Sequence, residues 1–396
     1  MSGGRRRHID EAERRARLAV RHRLTGTARA ASPEEVAASL VALHGTDPAT
    51  VYLAVGARLA EPVKTVPDTE RALYEDRTLL RMHGMRHTVF VLPDDLTAVV
   101  HASTSLAVAA RERASLLKDM AKSGAPDAAW LTEVEESTLT ALARRGQATA
   151  AELADEEPRL REQFVYAAGK SYEGVHTVST RLLRVLGVEG KVVRARPLGT
   201  WTSSQFRWAP APEYPELDTA QAQVELLCRW LTACGPATEA DLKWWTGWRV
   251  TEVRRALAAI GAEAVSLDEG GTGYVVKGDV DPAPGPSAPW AALLPSLDPT
   301  AMAWQHRDWY LAPELRPLLF DRSGNVGPTV WWNGRVIGGW AQRANGEIVW
   351  RILDREGVGH ETEAAIAAEA ERLRGWVGTT KVTPRFRTPL ERELSS

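Results

Sequence analysis

The segment Leu43-His44-Gly45-Thr46-Asp47-Pro48 gathers an imidazole, a hydroxyl and a carboxylate within four residues. A histidine can orient or deprotonate water near neutral pH. An ionised carboxylate beside it can stabilise a developing cation. His44, Thr46 and Asp47 are therefore the candidate catalytic residues, placed on a loop open to solvent between two helices. Structural roles are equally specific. Asp47 before Pro48 is a helix-start signal, Thr46 can be a turn residue, and a lone histidine can belong to the core.

The other candidates are basic. Lys243, Arg249, Arg254 and Arg255 surround Thr246-Gly247-Trp248, and the pair Arg86-His87 follows Gly84 at the tip of an expected hairpin. A helix entering a DNA groove needs such side chains for phosphates and, at its N-terminus, for base edges. They can equally be solvated, since the same modules also serve as protein-protein contacts. Trp244, Trp245 and Trp248 are expected to pack helices together.

The elements that must carry these residues are announced by a repeated cap. Gly146-Gln147-Ala148-Thr149-Ala150-Ala151-Glu152-Leu153 recurs as Gly235-Pro236-Ala237-Thr238-Glu239-Ala240-Asp241-Leu242, with a looser copy at Ala31-Ser32-Pro33-Glu34-Glu35-Val36. The hydroxyl caps free N–H groups, and the acid three residues on favours the positive helix end. Capped short helices followed by glycine-marked hairpins predict tandem winged helices in an α+β fold. The units expected are a winged helix at 10–93, a linking helix at 94–126, winged helices at 127–210 and 216–280, and a β-rich, barrel-like domain at 287–385.

Within the first unit, helices are expected over 10–22, from Pro33 to about Leu43 and from Pro48, with a hairpin from Leu79 to Leu92. In the second, the expected helices run from Trp130 to Arg145, from Thr149 and from His176 to Leu186, with strands Lys191–Arg196 and Gln205–Trp208. The third reads as helix Asp218–Ala233, a short helix from Thr238, helix Val250–Ile260, and strands Ala264–Leu267 and Tyr274–Lys277. Asp281-Pro282-Ala283-Pro284-Gly285-Pro286 is a stiff linker. Beyond it, strands are expected at Ala291–Leu294, Trp309–Leu311, Thr329–Trp332, Arg335–Trp340 and Ile348–Ile352, then a helix near 361–374 and a loose tail after Arg385. Asn333-Gly334 is a strong hairpin signal. The tryptophans at 304, 309, 331, 332, 340 and 350 are expected to fill this domain's core, with base stacking as the alternative.

At 396 residues the chain is too long for one core. No apolar run approaches the roughly 20 residues of a membrane span, and the basic N-terminus has no apolar segment behind it. Cys228 and Cys234 suggest neither a disulfide nor a metal site, which points to a reducing compartment. The net charge of −2 argues mildly against a generic polyanion binder, but residues 1–30 carry nine arginines against three acids. Local basic surface sets phosphate attraction, unless this is merely a solvated tail. There is no phosphate-binding Walker loop, no paired cysteine ligands, no His-Glu-x-x-His and no Gly-x-Ser-x-Gly.

The chain resembles the bacterial winged-helix DNA glycosylases of the AlkZ/YcaQ type. The resemblance is carried by residues 43–53, by Met82-His83-Gly84-Met85-Arg86-His87-Thr88-Val89-Phe90-Val91, by Leu293-Leu294-Pro295-Ser296-Leu297-Asp298-Pro299 and by Gly327-Pro328-Thr329-Val330-Trp331-Trp332-Asn333-Gly334. It covers most of residues 10–385. It implies three winged helices in a C shape closed by a C-terminal β-barrel. It also implies hydrolysis of the N-glycosidic bond of alkylated purine adducts, in base excision repair or in self-resistance to a genotoxin. The family's Gln-Φ-Gln or Gln-Φ-Asp pair, Φ being apolar, corresponds to His44-Gly45-Thr46, so both polar members are replaced.

The resulting expectation is a monofunctional DNA glycosylase that works as a monomer on damaged double-stranded DNA, with no metal, cofactor or membrane. Its expected place is the cytoplasm, with the nucleoid. The alternative, favoured by the His/Thr replacement, is a non-catalytic winged-helix DNA-binding protein, either a regulator or a lesion-binding factor.

Overall fold

The computed structural model describes residues 6–171, 173–268, 270–282 and 285–396. Arg5 of the basic N-terminus and Ala283-Pro284 of the linker lie outside the described residues. The fold is α+β, and no helix among the described residues is long and apolar enough to cross a membrane.

Helix Glu11–Arg21 is capped by Asp10, and helix Pro33–Leu40 by Ser32, whose hydroxyl accepts from the Glu35 amide. The second helix stops earlier than expected, at Leu40. Val41 takes a φ of 66°, a conformation that a β-branched residue rarely adopts. That reversal frees Leu43–His44 to form a two-residue strand, β1. Helix Pro48–Gly56 follows. Two strands, β2 (Leu79–His83) and β3 (Val89–Pro93), form the expected hairpin around Gly84. The sheet order is β1-β3-β2. Strand β1 was not expected, because two residues give no alternation to read. Residues 94–122 are then helical throughout, with one wider turn at His101–Ser105.

The next segment holds helices Ala128–Arg145, Ala150–Glu156 and Val178–Val188. Thr149 and Glu152 close a reciprocal capping box, as their spacing predicts. A hairpin of β4 (Gln163–Tyr166) and β5 (Gly174–Thr177) precedes the third helix. The expectation that His176 begins that helix is corrected: His176 is in β5, opposite Phe164. Its helix begins at Val178 because the Thr177 hydroxyl supplies the cap. Strands β6 (Val192–Pro197) and β7 (Phe206–Pro210) then pair.

Helices Thr219–Cys234, Glu239–Thr246 and Val250–Ile260 come next, followed by the hairpin β8 (Glu263–Ser266) and β9 (Thr272–Val275). Thr238 and Asp241 make the second capping box. Gly247, at φ 76°, ends the short helix in the left-handed conformation.

The C-terminal sheet contains β10 (Ala291–Leu294), β11 (Thr329–Trp332), β12 (Arg335–Gln342) and β13 (Ile348–Ile352), all antiparallel in that order. It does not close on itself among the described residues, so the barrel expectation is corrected to an open four-stranded sheet. Trp309-Tyr310-Leu311 is a turn, not a strand: the amides of Tyr310 and Leu311 both bond the Arg307 carbonyl. Its three side chains are 1–3% exposed, so the apolar run reflects burial alone. Trp304, Trp309, Trp331 and Trp340 are buried with them. The tail is not loose either. Helix Pro389–Leu394 buries Leu390 and Leu394 and lies so close to β12 that a Cβ on Gly339 would sit 2.7 Å from Leu390 Cδ2.

Packing also corrects the basic N-terminus. Arg7 and Arg17 pair with Glu13, Arg15 with Glu11, Arg21 with Asp279 and Arg29 with Glu369. Arg17 is 2% exposed. These guanidiniums do not form a free basic surface, and Arg15, Arg17 and Arg21 fasten the first helix to the rest of the fold through the Trp309, Asp279 and Asp281 carbonyls and the Asp279 carboxylate. Deeper still, the Arg58 guanidinium and the Asp298 carboxylate make two bonds of 2.7 and 2.9 Å, with both side chains fully buried. Arg58 also donates to the Ala54 carbonyl, so this pair ties the end of helix Pro48–Gly56 to the segment that follows β10.

Candidate active site and nucleic-acid interface

The 43–47 loop is held by strand pairing on one side and by the chain's C-terminal segment on the other. Leu43 pairs with Val91 and His44 with Phe90, and the Gly45 amide donates to the Val89 carbonyl at 2.8 Å. Gly45 approaches β3 so closely that a Cβ there would meet Val89 and Phe90 atoms at 3.3 Å. The expectation of a loop open to solvent is therefore corrected. His44 is 8% and Asp47 5% exposed, while Thr46 is half-buried.

His44 lies tilted against the Phe90 ring, 5.3 Å between centroids. Burial, and then the Arg86 cation, pull its pKa down to about 3, so the imidazole is neutral at pH 7. Its Nδ1 is buried with no hydrogen-bond partner. A buried, unpaired polar atom costs free energy and calls for an explanation. A neutral imidazole with one open nitrogen is chemically suited to accept from, or donate to, a water.

Asp47 is engaged on both oxygens. One accepts from the Ala49 amide at 3.1 Å, capping the helix that follows; the other accepts from the Arg385 amide at 2.9 Å. Burial pushes its carboxyl pKa up, while those two amides and the cations of Arg385 and Arg81 oppose the rise. The capping role considered from the sequence is thus present, with a second tertiary bond added.

Arg86 and His87 occupy the tip of the β2–β3 hairpin at positive φ, 51° and 59°. Two successive non-glycine residues in that region store strain, which tends to collect at functional sites. Arg86 is not a solvated strand end. Its guanidinium lies over the Trp244 ring at 4.0 Å, and Arg307 covers the same ring at 5.0 Å. Burial, and then Arg307, lower the Arg86 pKa to about 10. The Nε atoms of both arginines are buried without partners. His87 bonds Arg184 at 3.2 Å and lies 3.4 Å from Glu112.

The remaining basic candidates sit elsewhere. Lys243, Arg249, Arg254 and Arg255 are exposed around the 239–260 helices. Arg254 pairs with Glu239 at 2.9 Å and Arg255 donates to Gln223 at 2.6 Å. The link to the hairpin runs through the turn between these helices: a Cβ on Gly247 would lie 3.2 Å from Arg86 Cγ. Trp245 and Trp248 are buried, and the Trp248 indole donates to Thr104 at 3.2 Å, so both pack helices as expected.

Four arginines around the loop and the adjoining hairpin escaped the sequence reading: Arg81 and Arg385 at the loop, Arg194 and Arg307 at the hairpin. Arg81 and Arg385 act on Asp47, Arg194 on His83, and Arg307 on Arg86. One signal was available. Arg81 interrupts Leu79-Leu80-Arg81-Met82, and a charge inside an otherwise apolar strand is costly unless it has work to do. The others come from segments far apart in the chain.

The family model described as "DNA glycosylase AlkZ-like" matches residues 37–376. Among solved structures, Streptomyces sahachiroi DNA glycosylase AlkZ superposes with a TM-score of 0.70 at 20% identity, covering 93% of this chain and 97% of that one. At that identity the likeness concerns the fold. No match is found among curated proteins. The family match spans the loop, the hairpin, the helices that carry the exposed basic residues and the whole C-terminal sheet, and on that ground the chain belongs to the AlkZ-like DNA glycosylase family.

Proposed function

We propose that this protein is a monofunctional DNA glycosylase that hydrolyses the N-glycosidic bond of N-alkylated purines, acting as a monomer on duplex DNA. The observation that carries this reading is His44: a neutral imidazole with an unpartnered nitrogen, beside a half-buried threonine and within the field of the Arg86 cation. The elements within 10–93, 127–210 and 216–280 are read as three winged helices and 94–126 as the linking helix. Together with the sheet domain at 287–385 they would embrace the duplex.

The chemistry asks little of a general acid. Alkylation at N7 or N3 makes the purine cationic, so the C1′–N bond breaks with its electron pair going to the base. The base leaves neutral, water then bonds to C1′, and its proton passes to bulk solvent. In this reading His44 and Thr46 orient the water. The Asp47 carboxylate fixes the loop and adds negative potential toward an oxocarbenium-like sugar. The arginines are neutralised by phosphates when DNA is bound. A bulky adduct would not need to enter a tight base pocket, unlike the targets of base-flipping enzymes.

The test is release of free base and formation of abasic sites on alkylated duplex DNA, for wild type and His44→Ala. Loss of product in the variant supports the assignment; equal product from both removes His44 from the mechanism. The low exposure of His44 and Gly45 favours a second reading, a lesion-binding protein without catalysis. Tight binding with no released base would establish that one.

A further inference from the structure

A cavity of about 370 Å³ opens between the β2–β3 hairpin and the β6–β7 pair. Its walls carry six arginines and no acidic residue. Two of the six, Arg145 and Arg196, are neutralised at the rim, by Glu156 and by Glu70 with Glu75. The other four, Arg77, Arg81, Arg194 and Arg207, form no salt bridge among the described residues.

Arg81 is the telling one. It is 5% exposed, and both its Nε and Nη2 are buried without a partner. Arg194 has an unpartnered Nε as well. Burial, and then the cations of Arg81, Arg385 and Arg184, depress its pKa to about 10. Guanidiniums do not shed their proton at neutral pH, so the site cannot relieve itself by titration. The Asp47 carboxylate feels the Arg81 and Arg385 cations, but its oxygens are taken by two backbone amides, so the buried guanidinium N–H groups still call for an acceptor. Planar forks with open N–H groups match a phosphate oxygen pair.

Across the sheet, Arg81 stands opposite Val91, and Val91 opposite Leu43, so its side chain leaves the sheet on the face opposite to His44; its link to the loop is Asp47, on whose carboxylate the Arg81 cation acts. We propose that this cavity is a phosphate seat, holding one backbone phosphodiester of bound duplex DNA. The proposal rests on the DNA reading above, but it does not depend on catalysis.

The test uses the full chain and an undamaged duplex oligonucleotide, so failure of glycosylase activity cannot be mistaken for failure of the seat. Arg81→Met keeps the bulk of the side chain and removes the guanidinium with its unpartnered N–H groups. It is expected to raise Tm while weakening duplex binding roughly tenfold near physiological salt, and to flatten the log–log salt slope of Kd by about one. Arg81→Lys is expected to restore part of the affinity. Inorganic phosphate should raise the wild-type Tm more than chloride at equal ionic strength, and should lose that advantage in Arg81→Met. Unchanged duplex affinity and salt slope in Arg81→Met overturns the proposal. Unchanged duplex binding with the phosphate effect intact in wild type and lost in the variant overturns it too, because the cavity would then serve a free phosphate.

Discussion

The side-chain carboxylate of Asp47 accepts the backbone amide of Arg385 at 2.9 Å, across 338 positions of the chain. The same carboxylate caps the helix that follows it. One residue thus starts a helix and clamps the C-terminal segment over the candidate catalytic loop. Asp47→Ala removes the cap and leaves a half-buried amide unpaired, a combined cost of about 2–4 kcal/mol. Asp47→Asn, which keeps one acceptor oxygen, should lose less. Thermal melts check this; an unaltered Tm in Asp47→Ala would mean that the clamp contributes nothing.

Helix Pro48–Gly56 is also fastened from below by Arg58 and Asp298, both fully buried. Asp298→Ala strands a buried guanidinium and should cost about 3–5 kcal/mol. Urea denaturation measures it. A loss below 1 kcal/mol would show that water or another acceptor reaches Arg58.

Three histidines, His22, His44 and His83, are 1–8% exposed, and each has its pKa pulled down to about 3. Burial is the first cause in each case. Nearby cations add to it: Arg58 and Arg21 for His22, Arg86 for His44, and Arg194, His87 and Arg184 for His83. In the unfolded chain these groups take up protons near pH 6.5, whereas the folded protein does so only near pH 3. Over that window the unfolded state binds more protons, so stability falls as pH drops. Each histidine contributes a slope of up to about 1.4 kcal/mol per pH unit. Denaturation series at pH 7, 6 and 5 should show this, with a shallower slope in His83→Gln. Stability that stayed level from pH 7 to 5 would contradict the buried neutral imidazoles.

Gly247 adopts φ 76°, and its missing Cβ leaves room for Arg86. Gly247→Ala should cost about 1–2 kcal/mol for the left-handed backbone. It should also displace Arg86 from the Trp244 ring and weaken duplex binding. Tryptophan fluorescence and binding isotherms follow the two effects separately. A variant with native affinity would remove the Arg86–Trp244 stack from the DNA interface.

Local signals in the sequence carried much of the architecture. Ser32, Asp47, Thr149 and Thr238 each cap the helix that their spacing announces. The Gly84 hairpin and helix Val250–Ile260 occur where glycine and apolar periodicity placed them. Such features depend on interactions within a few residues. They can therefore be read from the chain alone.

Only the tertiary structure decided the rest. Strand β1 exists because β3 is there to pair with it, and the Trp309–Leu311 run, apolar enough for a strand, is a turn because burial does not specify backbone form. The loop at His44 is closed by a segment more than three hundred residues away. The arginines around it and around the β2–β3 hairpin come from β2, β6 and two distant loops. Charge in a sequence is only composition; whether a guanidinium meets an acid, an indole face or an empty cavity depends on which segments fold together.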